Sequence, residues 1–254
     1  MILVAIPVHE REALVRHCLA TAAELDLPAG GEILVIDDAS PTLDAPALIA
    51  EAGLKCRFER HEERVGAERM AQHMWGRFLA TGHSHLLCLD SDMVINRDAV
   101  TVGLRLAGRF DGLLTLYNSI AHASEPLDAE LVAKRTVGNG ATLWSRRLVE
   151  TAQTLVQPVQ TGVDFAYCRA FAERGIPIAA TAQSRVQHIG IYGTYNQHFG
   201  ALEHGLGFVP DSLAQWQAIG FIYDEIMCHQ EKYLPPAPKR DLVSRVRRLL
   251  GAKI

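Results

Sequence analysis

Residues 86–92, LLCLDSD, lead from an apolar run directly into two aspartates that are one residue apart. An apolar run of this length predicts a buried strand, and parallel strands are usually buried on both faces. Side chains two positions apart leave a strand on the same side, so Asp90 and Asp92 should point together from its end. Two carboxylates held this close repel each other unless a cation lies beside them. Because carboxylates bind hard divalent cations that also bridge to phosphates, the segment predicts a metal and diphosphate site.

The composition is that of a globular protein. The 254 residues are 48% hydrophobic and carry a formal net charge of −4, which suits one large domain. The mild acidity argues against broad nucleic-acid binding, although it leaves a local basic groove open. The five cysteines are scattered without a C-x-x-C pair, which indicates a reducing compartment. The N-terminus is unlike a signal peptide and no apolar run reaches the length of a membrane span, so we expect a cytoplasmic protein.

The first half of the chain alternates between strand and helix patterns. Strands are predicted at 2–6, 32–36, 55–59 and 86–89, and helices at 10–25, 45–52 and 66–80. This alternation predicts an α/β fold whose central sheet is mostly parallel and is flanked by helices. Ligands bind beyond the carboxyl ends of such strands. Three polar clusters fall there, at residues 7–10, 37–38 and 90–92.

The second half is less regular. Strands are predicted at 113–117 and 141–144, helices at 146–155 and 163–174, and short strands at 176–180 and 184–187 around a turn. Several aromatic and amide side chains after residue 191 could bind a second substrate or form a lid. They are Tyr192, Tyr195, Asn196, His198 and Phe199. A stiff proline-rich linker at 235–238 precedes a basic amphipathic helix at 240–250. We expect this C-terminal helix to pack on a partner subunit or to be solvated, in preference to peripheral membrane contact.

Several short motifs follow one another along the chain. They are IPVHER at 6–11, DDAS at 37–40, GAER at 66–69, DSD at 90–92, VGNG at 137–140, RR at 146–147, GVD at 162–164 and HIG at 188–190. In this order and spacing they resemble the family 2 glycosyltransferases of the GT-A fold. The resemblance implies a catalytic domain over 1–190, with its nucleotide-binding half over roughly 1–95 and its acceptor half over roughly 96–190. Residues 191–254 would then form an acceptor-site or lid segment and a C-terminal helical extension.

The resemblance also implies roles for individual residues. Nucleotide contacts would come from Pro7, His9, Glu10, Asp38, Arg69, Asp90 and Ser91. The metal ligands would be Asp92, His188 and Asp90. The ion would be Mn²⁺ or Mg²⁺, and an imidazole ligand favours Mn²⁺. The donor sugar would lie against Gly138, Asn139 and Gly140. Asp164 is the candidate catalytic base, because an inverting transfer needs the acceptor hydroxyl to be deprotonated as it attacks.

The chain departs from the family pattern at several positions. His9 stands where an aromatic ring is usual, Met93 stands where many members have another aspartate, and Asp164 is alone where an acidic pair is common. No Q-x-x-R-W motif is present in the sequence. The last absence, together with the lack of membrane helices, indicates an enzyme that adds one sugar rather than a polymer synthase.

Each of these residues also has a plainer interpretation. The aspartates at 90–92 could lie in an ordinary surface turn, and residues 138–140 could be a simple turn. Arg69 could lie on a solvated helix face. His188 is one of eleven histidines, most of which are expected to be structural. Asp164 could simply stabilise a helix N-terminus through the helix dipole.

The sequence therefore predicts metal-dependent, inverting transfer of one sugar from a nucleotide-diphosphate donor, by resemblance a UDP-sugar, to a hydroxyl acceptor. One alternative is a nucleotidyltransferase that makes the activated sugar, although residues 7–10 are a poor match to its glycine-rich triphosphate loop. Another is a non-catalytic nucleotide or glycan binder on the same scaffold. The acceptor stays open among a glycan, a lipid-linked glycan, a small molecule and a modified nucleic acid, and a homodimer is compatible with the sequence.

Overall fold

A computed structural model describes residues 1–156, 162–191 and 204–228 of the chain. The strands are β1 (Ile2–Val8), β2 (Glu32–Asp37), β3 (Arg57–Arg60), β4 (His85–Cys88), β5 (Met93–Ile95), β6 (Leu113–Thr115), β7 (Ser124–Pro126), β8 (Leu131–Lys134), β9 (Thr142–Ser145), β10 (Ile178–Thr181) and β11 (Val186–His188). The helices are α1 (Glu12–Ala22), α2 (Ala45–Glu51), α3 (Ala67–Leu79), α4 (Ala99–Ala107), α5 (Arg146–Leu155), α6 (Val163–Glu173) and α7 (Leu213–Cys228).

Within the described residues, a nine-stranded sheet has the order β3-β2-β1-β4-β9-β6-β10-β8-β7. Strand β1 lies at the centre of the first half and pairs in parallel with β2 and β4. Strands β9 and β8 run against their neighbours. The sheet is therefore mostly parallel, and the predicted α/β class is confirmed. The alternation of strand and helix in the first half follows the sequence prediction, with element ends shifted by a few residues.

The alternating side chains of β1 explain how the two faces of the sheet are covered. Ile2, Val4 and Ile6 pack in one buried cluster with residues of α1, α2 and α4. Leu3 and Ala5 point the other way and pack in a second cluster with residues of α3, α5 and α6. Because both faces of β1 are buried, its sequence is a continuous apolar run rather than an alternation of apolar and polar residues.

The sequence predicts that Pro7 ends the first strand, but β1 continues to Val8. The Ala5 carbonyl accepts the Leu89 N–H at 2.9 Å, so the backbone polar groups of Ala5, and those of Pro7 two positions on, face the β4 side. The paired residues of β1 and β4 end at Ala5 and Cys88. The next hydrogen bond on this side would need an N–H from Pro7, which has none, so the ladder between β1 and the segment after β4 ends at the Leu89 N–H.

The two late strands lie on either side of the predicted turn but join different sheets. Strand β10 pairs with β6 and β8 in the large sheet. Strand β11 pairs with β5 in an antiparallel two-stranded sheet, in which His188 is the partner of Met93. Helix α7, β5 and α1 meet in a small buried cluster beside this pair. The β5–β11 pairing thus carries residue 188 to the segment that follows Asp92.

Several predictions concern residues outside the described ranges. They are the candidate acceptor or lid residues at 192–199, the proline-rich linker at 235–238 and the amphipathic helix at 240–250. Among the helices of the described ranges, none is long and apolar enough to cross a bilayer.

Candidate functional site

The two aspartates follow the central strand, as predicted, but a turn rather than an extended chain brings them together. Leu89 continues the ladder beyond β4, and the Met93 N–H then donates to the Asp90 carbonyl at 3.1 Å. Ser91 is buried, whereas Asp90 and Asp92 are half-buried. The D-x-D turn, residues 90–92, therefore lies at the carboxyl end of β4, beside the end of β1.

Two cationic or potentially cationic groups face the Asp92 carboxylate. Arg11 Nη1 donates to Asp92 Oδ2 at 2.7 Å, and His188 Nε2 lies 3.5 Å from the same oxygen. The Ile189 N–H also donates to the Asp92 carbonyl at 2.8 Å, which ties the end of β11 to the D-x-D turn. Burial alone would raise the pKa of Asp92, but His188 and Arg11 together hold it well below its usual range.

The pKa of Asp90 is shifted upward, in contrast to that of Asp92. Burial raises its pKa, and the neighbouring Asp92 charge raises it further. The charge of Asp164 acts on Asp90 in the same direction, so these two predicted site residues lie within electrostatic reach of each other. A proton is therefore held more readily on Asp90 than on Asp92 in the absence of a cation.

Two glycines are required for the close packing around the D-x-D turn. A Cβ on Gly190 would lie 2.6 Å from Asp92 Oδ2 and 2.7 Å from His188 Nε2. A Cβ on Gly140 would lie 3.0 Å from Asp90 Oδ2 and would also meet the Met93 side chain. The predicted donor-sugar segment at 138–140 is thus packed directly against the D-x-D turn. The Asn139 Oδ1 atom beside it is buried and has no hydrogen-bond partner within the described residues.

The donor atoms present suit a divalent cation in part. A carboxylate oxygen and an imidazole nitrogen that face each other are a ligand pair typical of Mn²⁺. Both atoms can pack closely against residue 190 because it has no side chain. Within the described ranges, no three histidine, cysteine, aspartate or glutamate side chains are grouped to hold a metal. Asp92 and His188 would therefore supply only part of a coordination shell.

The predicted nucleotide side of the site is built from the loops after β1 and β2. The His9 Nδ1 atom lies 3.0 Å from the Asp38 carbonyl oxygen. The Glu10 N–H donates to Ser40 Oγ at 3.1 Å, and Glu10 Oε1 accepts the Thr42 N–H at 2.9 Å. Hydrogen bonds from the Thr42 side chain and backbone lower the pKa of Glu10. Glu10 therefore joins the two loops, and its carboxylate is engaged within the protein.

The Asp38 carboxylate organises the loop that leads into α3. It accepts the Val65 N–H at 2.7 Å and the Gly66 N–H at 2.9 Å, and it lies 3.2 Å from His61 Nδ1. Burial opposes its ionisation, but these donors lower the pKa of Asp38 overall. Asp38 is only 4% exposed. Arg69, by contrast, lies on the exposed face of α3.

Asp164 lies in the first turn of α6, which begins after Gly162. Its Oδ1 atom accepts the Phe165 N–H at 2.9 Å. Glu68 Oε2 in α3 accepts the Val163 N–H at 2.8 Å, so a residue distant in sequence caps this helix. Burial raises the pKa of Asp164, and the Glu68 charge adds to that shift.

The sequence analysis did not assign functional roles to Arg11, Glu68 and Gly190. All three act through contacts between elements that are far apart in the chain, which leave no periodic pattern to detect. A cavity lined by His85, Gly112 and Ser145 lies near the opposite end of β4 and contains none of the predicted site residues.

The mostly parallel sheet with a D-x-D turn at its carboxyl edge defines the GT-A class of fold. The sequence model of glycosyl transferase family 2 matches residues 3–174. The chain therefore belongs to glycosyl transferase family 2. Comparison with curated protein sequences found no match.

Solved structures with the same fold share little sequence with this chain. Residues 1–349 of S. aureus TarS in complex with UDP-GlcNAc are 14% identical, with a TM-score of 0.60 over 89% of this chain and 66% of that chain. A longer S. aureus TarS structure is 12% identical, with a TM-score of 0.58 over 98% and 42%. The Pyrobaculum calidifontis mannosyltransferase PcManGT, in complex with GDP-Man and Mn²⁺, is 14% identical, with a TM-score of 0.54 over 99% and 81%. The chain thus spans less than two thirds of these TarS chains.

Proposed function

We propose that this protein is an inverting glycosyltransferase that moves one sugar from a nucleotide-diphosphate donor to a hydroxyl acceptor and depends on a divalent cation. The observation that carries the proposal is the meeting of Asp92 and His188 at the carboxyl edge of the sheet. Their Oδ2 and Nε2 atoms are 3.5 Å apart, and both pack against Gly190, which has no side chain to separate them. Membership of glycosyl transferase family 2 supports sugar transfer as the reaction.

Asp92 and His188 would hold the cation, Mn²⁺ or Mg²⁺, and Asp90 would lie beside it. When bound, the cation supplies Lewis-acid stabilisation of the departing diphosphate. Because these side chains form only part of a coordination shell, the remaining ligands would be diphosphate oxygens and water. This arrangement predicts that the cation and the nucleotide bind together more tightly than either binds alone.

Asp164 would take the proton from the acceptor hydroxyl. Burial and the charge of Glu68 raise its pKa, which makes the carboxylate a better proton acceptor than an exposed aspartate. The Asp164 charge also acts on Asp90, which supports a position near the reacting centre. Gly138, Asn139 and Gly140 would lie along the donor sugar, since Gly140 already packs against Asp90.

The donor is proposed to be a UDP-sugar. S. aureus TarS has been solved with UDP-GlcNAc, whereas PcManGT has been solved with GDP-Man, so the shared fold accepts either base. His9, Asp38 and the loops they connect would surround the base, with Pro7, Glu10 and Ser91 supporting them and Arg69 at the edge. The cysteines of the described residues are all free thiols, consistent with a proposed cytoplasmic location.

A thermal-shift panel of nucleoside diphosphates, with and without Mn²⁺, tests the proposal, because a ligand that binds the native state raises the melting temperature. We expect one nucleotide to raise it strongly when Mn²⁺ is present and weakly when it is absent. Asp92→Asn should remove the Mn²⁺ dependence. Stabilisation that does not depend on Mn²⁺ would contradict the metal-dependent site. Intact nucleotide binding without turnover of any sugar donor would instead indicate a non-catalytic binder.

A further inference from the structure

Arg11 reaches the D-x-D turn from an unusual backbone conformation. Glu10 and Arg11 both have positive φ angles, 50° and 54°, which are rare for residues other than glycine. The Glu10 hydrogen bonds to Ser40 and Thr42 hold this conformation. The chain thus turns sharply before α1 and directs the Arg11 side chain across to the end of β4. Such strained positions persist where the surroundings fix them, and they concentrate at functional sites.

The Arg11 guanidinium contacts the same carboxylate oxygen that would ligate a cation. Its Nη1 atom lies 2.7 Å from Asp92 Oδ2, the oxygen that also faces His188 Nε2 at 3.5 Å. The Asp92 side chain is 13% exposed, and the Arg11 side chain is 30% exposed. The carboxylate is therefore the more enclosed of the two groups, and the Arg11 side chain keeps part of its surface in solvent.

We propose that Arg11 is an internal counter-ion for Asp92 that competes with the divalent cation and, once displaced, binds the donor diphosphate. This inference rests on the proposed function. The Asp92 carboxylate is largely enclosed and lies beside Asp90, so its negative charge is unfavourable without a neighbouring cation. The Arg11 guanidinium therefore stabilises the site when no metal is bound. A guanidinium is well suited to bind phosphate oxygens in a bidentate manner, so the displaced side chain has a second partner.

The two roles of Arg11 predict opposite effects of a single substitution. In Arg11→Met the competing charge is absent, so Mn²⁺ alone should bind roughly fivefold more tightly, in keeping with the strength of a partly exposed ion pair. The same variant lacks the phosphate contact, so the nucleoside diphosphate should bind the Mn²⁺-loaded protein roughly tenfold more weakly. A side chain with a purely structural role would weaken both steps together.

Titration of Mn²⁺, followed by the electron paramagnetic resonance signal of the free ion, measures the first effect without any turnover. Arg11→Met is compared with the wild type, with Arg11→Lys and with Arg16→Met. Arg16 lies on α1 and pairs with Glu12 and Glu51, so its substitution should leave Mn²⁺ affinity unchanged. Arg11→Lys, which keeps the charge, should stay close to the wild type. Arg11→Gln gives the same comparison if the Met variant folds poorly.

Asp92→Asn separates failure of this inference from failure of the proposed function. If Asp92→Asn loses Mn²⁺ binding and Arg11→Met gains it, the counter-ion role is supported. If Asp92→Asn loses Mn²⁺ binding but Arg11→Met binds the ion no more tightly than the wild type, the counter-ion role is overturned and the metal site stands. If neither the wild type nor Arg11→Met binds Mn²⁺, or if Asp92→Asn binds it as tightly as the wild type, both the metal site and the role of Arg11 are overturned.

Discussion

Glu68 in α3 caps the helix that carries Asp164, because its Oε2 atom accepts the Val163 N–H at 2.8 Å. The first N–H groups of a helix have no partner within the helix, so this carboxylate satisfies one of them from outside. Glu68 thereby fixes the start of α6 relative to α3, which packs on the same face of the sheet. Its charge also raises the pKa of Asp164, after the larger effect of burial.

Glu68→Gln should therefore move the pH dependence of sugar transfer. The amide oxygen can still cap α6, but the negative charge that raises the pKa of Asp164 is gone. A general base is active when deprotonated, so the acidic limb of the kcat/KM profile should shift to lower pH. Glu68→Ala removes the cap as well and should cost about 1 kcal/mol of unfolding free energy. An unchanged pH profile in Glu68→Gln would show that the charge of Glu68 does not affect the ionisation of Asp164 in the reaction.

Asp164→Asn should abolish most of the sugar transfer and leave donor binding intact. Loss of a general base lowers turnover by about 10²- to 10⁴-fold, whereas the proposed nucleotide contacts are made by other residues. Turnover is measured by release of the nucleoside diphosphate, and donor affinity by calorimetry. Glu173→Gln, at the exposed far end of α6, is the matched control. Near-normal turnover in Asp164→Asn would remove this residue from the mechanism.

Gly190→Ala should disrupt the cation site more than the fold. The added Cβ would lie 2.6 Å from Asp92 Oδ2 and 2.7 Å from His188 Nε2, so these two groups must separate. We expect Mn²⁺-dependent nucleotide binding to fall by at least about tenfold, because ligand geometry determines metal affinity. Gly76→Ala is the control, since a Cβ there meets no atom within 4 Å. Because Gly76 lies within α3, Gly76→Ala should raise the unfolding free energy by about 0.5–1 kcal/mol. Equal Mn²⁺ dependence in both variants would show that residue 190 does not shape the site.

Arg146 and Arg147 should differ sharply in their effect on stability. Arg146 donates to the carbonyl oxygens of Thr81 at 2.6 Å and His83 at 2.8 Å, which follow the end of α3. It also lies 4.8 Å from the centre of the Phe78 ring. Arg146→Met should lower the unfolding free energy by about 2–3 kcal/mol, measured by urea denaturation. Arg147 is exposed and pairs with Asp111, so Arg147→Met should change the unfolding free energy by less than about 0.5 kcal/mol. Equal losses would contradict the structural role of Arg146.

The first half of the fold could be predicted because its signals are local. The apolar runs of β1, β2 and β4 and the helical spacing of α1 and α3 are each complete within a short window. The position of the D-x-D turn at a strand end followed from the same runs. Helix α4, the short strands β5, β7 and β8, and helix α7 were not predicted. Strands β5, β7 and β8 contain at most three consecutive apolar residues, too few to indicate a buried strand, and α7 has apolar residues on both its buried and its exposed sides.

The site could be predicted residue by residue only in part. The motifs selected Asp90, Asp92 and His188, but the meeting of Asp92 and His188 depends on the β5–β11 pairing, which no local pattern announces. The contacts of Arg11 and Glu68 have the same origin, since each joins residues of different elements. Such polar contacts require the folded arrangement of the sheet and helices before they can be recognised.

Pulsed electron paramagnetic resonance of Mn²⁺ bound together with the nucleoside diphosphate tests the central claim most directly. We expect phosphorus couplings from the diphosphate and a nitrogen coupling from His188 on the same ion, with the nitrogen coupling lost in His188→Ala. If Mn²⁺ shows the phosphorus couplings but keeps the same nitrogen coupling in His188→Ala, His188 is not a ligand of the cation. A failure of the ion to bind in the presence of any nucleoside diphosphate would contradict the metal-dependent account as a whole.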